Sequence, residues 1–208
     1  MADDITFYTN PMSRGRIVRW MLEEVGRPYR TELLDYGTTM KGADYLAINP
    51  MGKVPAIVCD GEVVTECAAI CTFLADRFPE AGLAPGPQEA GRGTFLRWMF
   101  FAAGPLEAAV TAKSMNLLAP ADKAGTLGYG TFEAAIDALE GAVSGDGPRI
   151  LGDRFSAADV YVGSQINWGL MFKSIPDRPA FVAYADRLRA RPAYLRASEI
   201  DDALMPKG

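Results

Sequence analysis

The first 80 residues alternate between strand-like and helix-like runs. Ile5 to Tyr8 is a short β-rich run. From Ser13 to Val25 the apolar residues Ile17, Val18, Met21, Leu22 and Val25 recur at helical spacing, and Gly26, with Pro28 just beyond, supplies a stop. Tyr29 to Leu34 predicts a second strand. Residues 35–53 contain Gly37, Gly42, Pro50 and Gly52 and read as irregular, with one helical turn near Asp44 to Ala47. Ala56–Cys59 and Val63–Thr65 predict two short strands around Asp60-Gly61, a strong hairpin signal. Glu66 to Phe78 predicts a helix carrying Ala69, Ile70, Phe73 and Leu74. The order β-α-β-α-β-β-α suits a small mixed sheet with helices packed on it.

Beyond Pro79 the β signal fades. Pro85-Gly86-Pro87 marks a linker, and the pattern predicts helical stretches over Thr94–Leu118, Thr126–Val143, Ser156–Met171 and Pro179–Ala190. Gly104-Pro105 predicts a break or kink in the first of these. Ser156 caps the third, and Asp159, three residues on, reaches back in a variant of the capping box, with Phe155 and Val160 at the staple positions. The expected division is an α/β domain over 1–80, a linker over 81–88 and an all-α helical domain over 89–208. There is no internal repeat and no low-complexity tract.

Composition narrows the chemistry. The chain has 208 residues, 49% hydrophobic and 23% charged, with a net charge of −5. That suits a folded protein able to bury a core without staples. It argues against a general nucleic-acid binder, which needs a basic face. The three cysteines, Cys59, Cys67 and Cys71, are few and clustered, unlike a secreted disulfide framework. With no histidine in the chain, Ser-His-Asp and Cys-His catalysis and every histidine metal site are excluded. The acidic start lacks a signal-peptide core, and no apolar run approaches the roughly 18 residues of a membrane span. The expected location is the cytoplasm, with no membrane partner and no metal.

Three segments carry a resemblance: Tyr8-Thr9-Asn10-Pro11-Met12-Ser13-Arg14 entering the first helix, Asn49-Pro50-Met51-Gly52-Lys53-Val54-Pro55, and Thr65-Glu66-Cys67-Ala68-Ala69-Ile70. With the Phe155–Asp159 box, in this order, the chain resembles the cytosolic glutathione transferases over nearly its whole length. Within that family it looks like the bacterial branches of the serine/cysteine type. The resemblance implies a thioredoxin-like N-terminal domain plus an all-helical C-terminal domain, glutathione as co-substrate, and a homodimer. It implies a reaction in which glutathione, as its thiolate, attacks a hydrophobic electrophile. Family alternatives are a glutathione-dependent disulfide reductase or isomerase, or a non-catalytic glutathione-binding scaffold.

The resemblance also assigns residues. Val54 precedes a cis-proline and offers its backbone to the cysteinyl part of glutathione, a form of β-augmentation. Read from the dipeptide alone, Pro55 simply starts an edge strand. Glu66 meets the γ-glutamyl amino group and doubles as a first-turn acid on the helix dipole. Cys67 stands where the family has Ser or Thr, so a weak S–H replaces a hydroxyl donor. Lys41 and Lys53 are candidates for the glycine carboxylate or are merely solvated. Ser13 is the candidate for thiol activation, with helix capping as the bland reading. Tyr8 and Asn10 are alternative donors, and Arg14 supplies nearby charge. Ser13-Arg14-Gly15-Arg16 is not a Cys-x-x-Cys dithiol. The electrophile pocket is expected between the domains, with Met12 as its candidate residue.

Overall fold

The computed structural model describes residues 4–145 and 147–205. Four strands form one sheet: β1 (Ile5–Thr9), β2 (Arg30–Leu33), β3 (Ala56–Cys59) and β4 (Glu62–Thr65), in the order β2-β1-β3-β4. β2 runs parallel to β1, as a helical crossover allows, while β3 and β4 are antiparallel to their neighbours. Asp60 and Gly61 turn the β3–β4 hairpin with φ of 50° and 85°, the positive values that this tight turn demands. The result is the small mixed sheet expected from the alternation, in the thioredoxin-like form that the resemblance implies.

Helices α1 (Gly15–Val25) and α3 (Cys67–Arg77) pack on one face, and the short α2 (Ala43–Leu46) has a separate cluster of Met40, Tyr45 and Ala56. The apolar stripe of α1 is buried as its spacing predicts, and Gly26 closes the helix with φ 71°. Arg19 and Trp20 are buried too, which the stripe does not predict. The reason is a helix that the hydrophobic pattern does not reveal, α9 (Pro192–Ala203), which packs along α1. Trp20 meets Tyr194 edge-on at 5.0 Å, and Arg191 grips Glu24 with two hydrogen bonds of 2.7 and 2.8 Å. Contact density therefore groups Met1–Leu83 with Ala190–Gly208, and Ala84–Arg189 forms a second unit.

The second unit contains α4 (Arg92–Phe101), α5 (Glu107–Ser114), α6 (Phe132–Val143), α7 (Ala157–Met171) and α8 (Pro179–Arg189). The break expected at Gly104-Pro105 is a π-helical turn over Ala102–Leu106 that joins α4 to α5. Pro105 brings no N–H, so a widened turn accommodates it where a regular ladder would lose a bond. α6 starts later than its pattern predicts, because Thr131 caps it by accepting from the Ala134 N–H at 3.1 Å. α7 is buried on nearly every side, and Gly163 lets α8 come close: a Cβ there would lie 2.2 Å from Leu188 Cδ1.

The capping box at α7 forms as expected, but its acid does more than cap. Asp159 is fully buried and accepts from Ser156 N–H (2.9 Å), Ser156 Oγ (3.1 Å), Ile150 N–H (2.9 Å) and Tyr184 Oη (2.7 Å). One carboxylate thus ties the α7 start to α8 and to the preceding loop. Asp159→Ala would leave several buried donors without an acceptor, at about 3 kcal/mol or more in total. For a chain of this length that lowers Tm by roughly 6–12 °C. Calorimetry on the variant checks it, with Asp159→Asn expected between the two. An unchanged Tm would show that Asp159 is not the tie described.

Candidate active site

The register places three chain ends together. Tyr8 pairs with Ala56, and Ala56 with Thr65. The end of β1, the start of β3 and the end of β4 therefore share one end of the sheet. The segments leaving that end are residues 10–14, 53–55 and 66–67, which hold Ser13, Val54, Glu66 and Cys67. Cys67 Sγ donates to the Arg14 carbonyl at 3.7 Å, so the first turns of α1 and α3 touch. Two helix N-termini, each a local source of positive potential, meet here.

Two of these segments are built alike. Asn10-Pro11-Met12 and Asn49-Pro50-Met51 are both Asx turns: Asn10 Oδ1 accepts from Met12 N–H at 3.0 Å and Asn49 Oδ1 from Met51 N–H at 3.1 Å. Each asparagine then uses its amide as an anchor, Asn10 Nδ2 to the Leu34 carbonyl and Asn49 Nδ2 to the Lys53 carbonyl, both at 2.8 Å. The second turn has further supports. Tyr45 Oη also donates to the Lys53 carbonyl, and Lys41 Nζ donates to the Gly52 carbonyl at 2.6 Å. Burial pushes the Tyr45 hydroxyl up to about 12, so it stays a donor at neutral pH. The repeated Asn-Pro-Met tripeptide is the sequence signal for this arrangement, and motif reading passes over it.

Val54-Pro55 is a cis peptide. Among the described residues, neither the Val54 N–H nor its carbonyl has a hydrogen-bond partner. Beside it Glu66 adopts φ 66° and ψ 121°, a region costly for a side-chain-bearing residue by about 1–3 kcal/mol. Its carboxylate is exposed and has no partner among the described residues.

Ser13 is only 7% exposed. Its Oγ donates to the Asn10 carbonyl at 2.6 Å and accepts from the Gly15 N–H at 2.9 Å. The Asn10 carbonyl also receives the Ser13 N–H at 3.0 Å. Of the alternative donors, Asn10 gives one amide hydrogen to the Leu34 carbonyl, and Tyr8 packs its ring at 5.6 Å from Tyr45 in the α2 cluster. Met12 is exposed, and Tyr36 Oη donates to its carbonyl at 3.2 Å. Lys53 is exposed with no side-chain partner among the described residues, whereas Lys41 is engaged with the loop carbonyls. Burial, with the Cys67 thiol nearby, holds Cys71 well above the ordinary thiol range, so it stays protonated and packs as a small apolar side chain. Among the described residues no group of three His, Cys, Asp or Glu side chains could hold a metal ion.

Fold and geometry together define a thioredoxin-like protein with an added helical unit. Residues 12–77 match the family model of the glutathione S-transferase N-terminal domain. A glutathione transferase from Methylococcus capsulatus superposes with a TM-score of 0.79 at 31% identity, covering 96% of this chain and 99% of that one. A sphingomonad glutathione S-transferase complexed with glutathione superposes with a TM-score of 0.75 at 29% identity, covering 95% and 98%. The glutathione S-transferase GstA of Escherichia coli O157:H7 is 29% identical over 169 residues, 80% of each chain. The chain belongs to the glutathione transferase family.

The start of α1 admits one residue type. A Cβ on Gly15 would lie 1.9 Å from Thr9 Oγ1 and 3.0 Å from Ser13 Oγ. Gly15→Ala must displace the Thr9 side chain and crowds Ser13 Oγ, costing about 1–3 kcal/mol. Thr9→Ala removes the closer atom, so the double variant should regain part of the lost Tm. Strictly additive losses would show that the Thr9 contact is not the cause.

Proposed function

We propose that this chain is a glutathione S-transferase that binds glutathione at the shared end of its sheet and activates the thiol through Ser13. The observation that carries the reading is the open backbone of Val54 beside the unpartnered carboxylate of Glu66. An extended peptide laid there pairs with the Val54 N–H and carbonyl as one more strand. Its γ-glutamyl ammonium then meets Glu66, and its γ-glutamyl carboxylate meets the N–H groups that open α3. Lys53 is free to reach the glycine carboxylate. Lys41 sits behind it, holding the loop through Gly52 and Met51.

Ser13 is suited to serve a thiolate without a base. A hydroxyl has one proton to give, and here the Asn10 carbonyl takes it. That carbonyl also holds the Ser13 N–H, so the hydroxyl proton can turn to a sulfur without stranding the carbonyl. The Gly15 N–H keeps polarising Oγ throughout. Hydrogen bonding to the charged form, together with two helix N-termini, lowers a thiol pKa from about 8.5. The sulfur then bonds to an electrophilic carbon, whose leaving group departs with its electron pair, and the thiol proton passes to solvent. Met12, exposed next to Ser13, is the proposed apolar contact for that electrophile. The same reading makes the protein a cytoplasmic homodimer.

Glutathione at about 100 times its Kd should stabilise the fold by about 2.7 kcal/mol, roughly 5–10 °C in Tm. No shift in a thermal scan at millimolar glutathione would overturn the binding reading, including the scaffold form of it. Ser13→Ala should lower turnover about tenfold or more and raise the pKa of the bound thiol by about one unit, leaving glutathione affinity within a few-fold. The thiolate absorbance of the complex against pH measures this. An unmoved pKa would reduce Ser13 to a helix cap. Turnover of small disulfides in place of electrophiles would make the protein a reductase.

A further inference from the structure

We propose that Arg16 is a positioning residue for the Ser13 hydroxyl, and that Asp202 of α9 holds it in that role. The inference rests on the reading of Ser13 as the thiol-activating group. Arg16 Nε donates to the Pro11 carbonyl and its Nη2 to Asp202 Oδ1, both at 2.6 Å. Pro11 is the middle residue of the first Asn-Pro-Met turn. The same turn supplies the Asn10 carbonyl that accepts from the Ser13 hydroxyl at 2.6 Å. The Asn10 amide ties one end of the turn to Leu34, and Arg16 ties its middle to α9. One guanidinium therefore joins the last turn of α9 to the segment that carries Ser13.

The contact belongs to a matched series. Along α1, Arg16, Arg19, Glu23 and Glu24 meet Asp202, Asp201, Arg196 and Arg191 in antiparallel order. A shift of α9 by one turn, about 5.4 Å, would part all four pairs. The buried positions of α9 are Ala193, Ala197 and Asp201, which offer little shape to fix a register. The charges fix it, together with the Trp20–Tyr194 edge contact. That register is what brings Asp202 to Arg16.

A solvated ion pair is the simpler reading of this contact. The Arg16 and Asp202 side chains are 28% and 67% exposed, and such a pair adds little to stability. That reading leaves out the Pro11 carbonyl. A guanidinium presents its N–H groups in one rigid plane and serves both acceptors at once, which the single nitrogen of a lysine does not do in fixed geometry. Charge also gives the test its sign. Asp202 is an anion, so by field alone its removal would favour a nearby thiolate and lower the pKa of the bound thiol. Loss of positioning does the opposite, because the Ser13 hydroxyl then donates less well to the sulfur.

The measurement is the pKa of the thiol in bound glutathione, read from thiolate absorbance in Asp202→Ala, Arg16→Lys and the unsubstituted chain. Both variants should raise it by about half a unit, roughly threefold less thiolate at a given pH below the pKa. Glutathione affinity should stay within about twofold and Tm within about 2 °C, as for an exposed pair. In a Ser13→Ala background, Asp202→Ala should no longer raise the pKa. An unmoved or lowered pKa in either variant, or the same rise without Ser13, would overturn the proposal. If Ser13→Ala alone leaves the pKa unmoved, the thiol-activation reading fails first and takes this inference with it.

Discussion

The candidate site depends on one register, Tyr8 opposite Ala56 and Ala56 opposite Thr65. Side chains alternate across a strand, so a slip of one residue would send Phe7 into the α2 cluster and Tyr8 under α1. It would also separate Val54 from Glu66. The register is well held because both faces of β1 are covered: Ile5, Phe7 and Thr9 are buried, and Tyr8 is packed against Tyr45.

On that frame, two small polar devices set the loops. Each Asn-Pro-Met segment folds its asparagine back on its own backbone and spends the remaining amide on a neighbouring strand or loop. Proline fixes one dihedral in each, and the asparagine replaces a backbone turn with a side chain. The consequence for chemistry is that Ser13 and Val54, the two groups proposed to meet the cysteinyl part of glutathione, stand on matching supports. Val54 also packs on the Met40, Tyr45 and Ala56 cluster, so its turn is held by apolar contact as well as by the asparagine.

Much of this is legible in the chain, and the omissions share a cause. The 3.6-residue spacing shows α1, and Asp60-Gly61 shows the hairpin, because both are local. α9 is not shown, because its buried positions are Ala193, Ala197 and Asp201, two small residues and an acid at four-residue steps. Such a face permits close packing on α1 but offers no apolar stripe to read. Gly15 looks like an ordinary helix-start residue until the Thr9 side chain is seen in the space its Cβ would need. Asn10 reads as a possible donor to sulfur, and only the structure shows that one of its two amide hydrogens goes to the Leu34 carbonyl. In each case the deciding contact lies across the fold from the residue it constrains.

The buried pair between Arg19 and Asp201 joins these levels. Both side chains are 1% exposed, and Arg19 Nε meets Asp201 Oδ1 at 2.7 Å. Arg19 also reaches Tyr29 Oη at 3.1 Å and Thr31 Oγ1 at 3.2 Å, and its guanidinium lies 5.1 Å from the Phe7 ring centre. One side chain therefore touches β1, β2 and α9 from its place on α1. Arg19 Nη2 and Asp201 Oδ2 have no partner among the described residues, so the pair is not fully satisfied. A buried pair of this kind adds little net stability compared with apolar residues of the same shape, because desolvation offsets attraction. What it supplies is orientation: a guanidinium fork with four fixed neighbours admits one rotation and one height of α1 against the sheet. The first turn of α1 carries Gly15, whose N–H holds Ser13 Oγ. A charge buried five residues along the helix from Arg14 thus helps fix where the proposed thiol-activating hydroxyl stands.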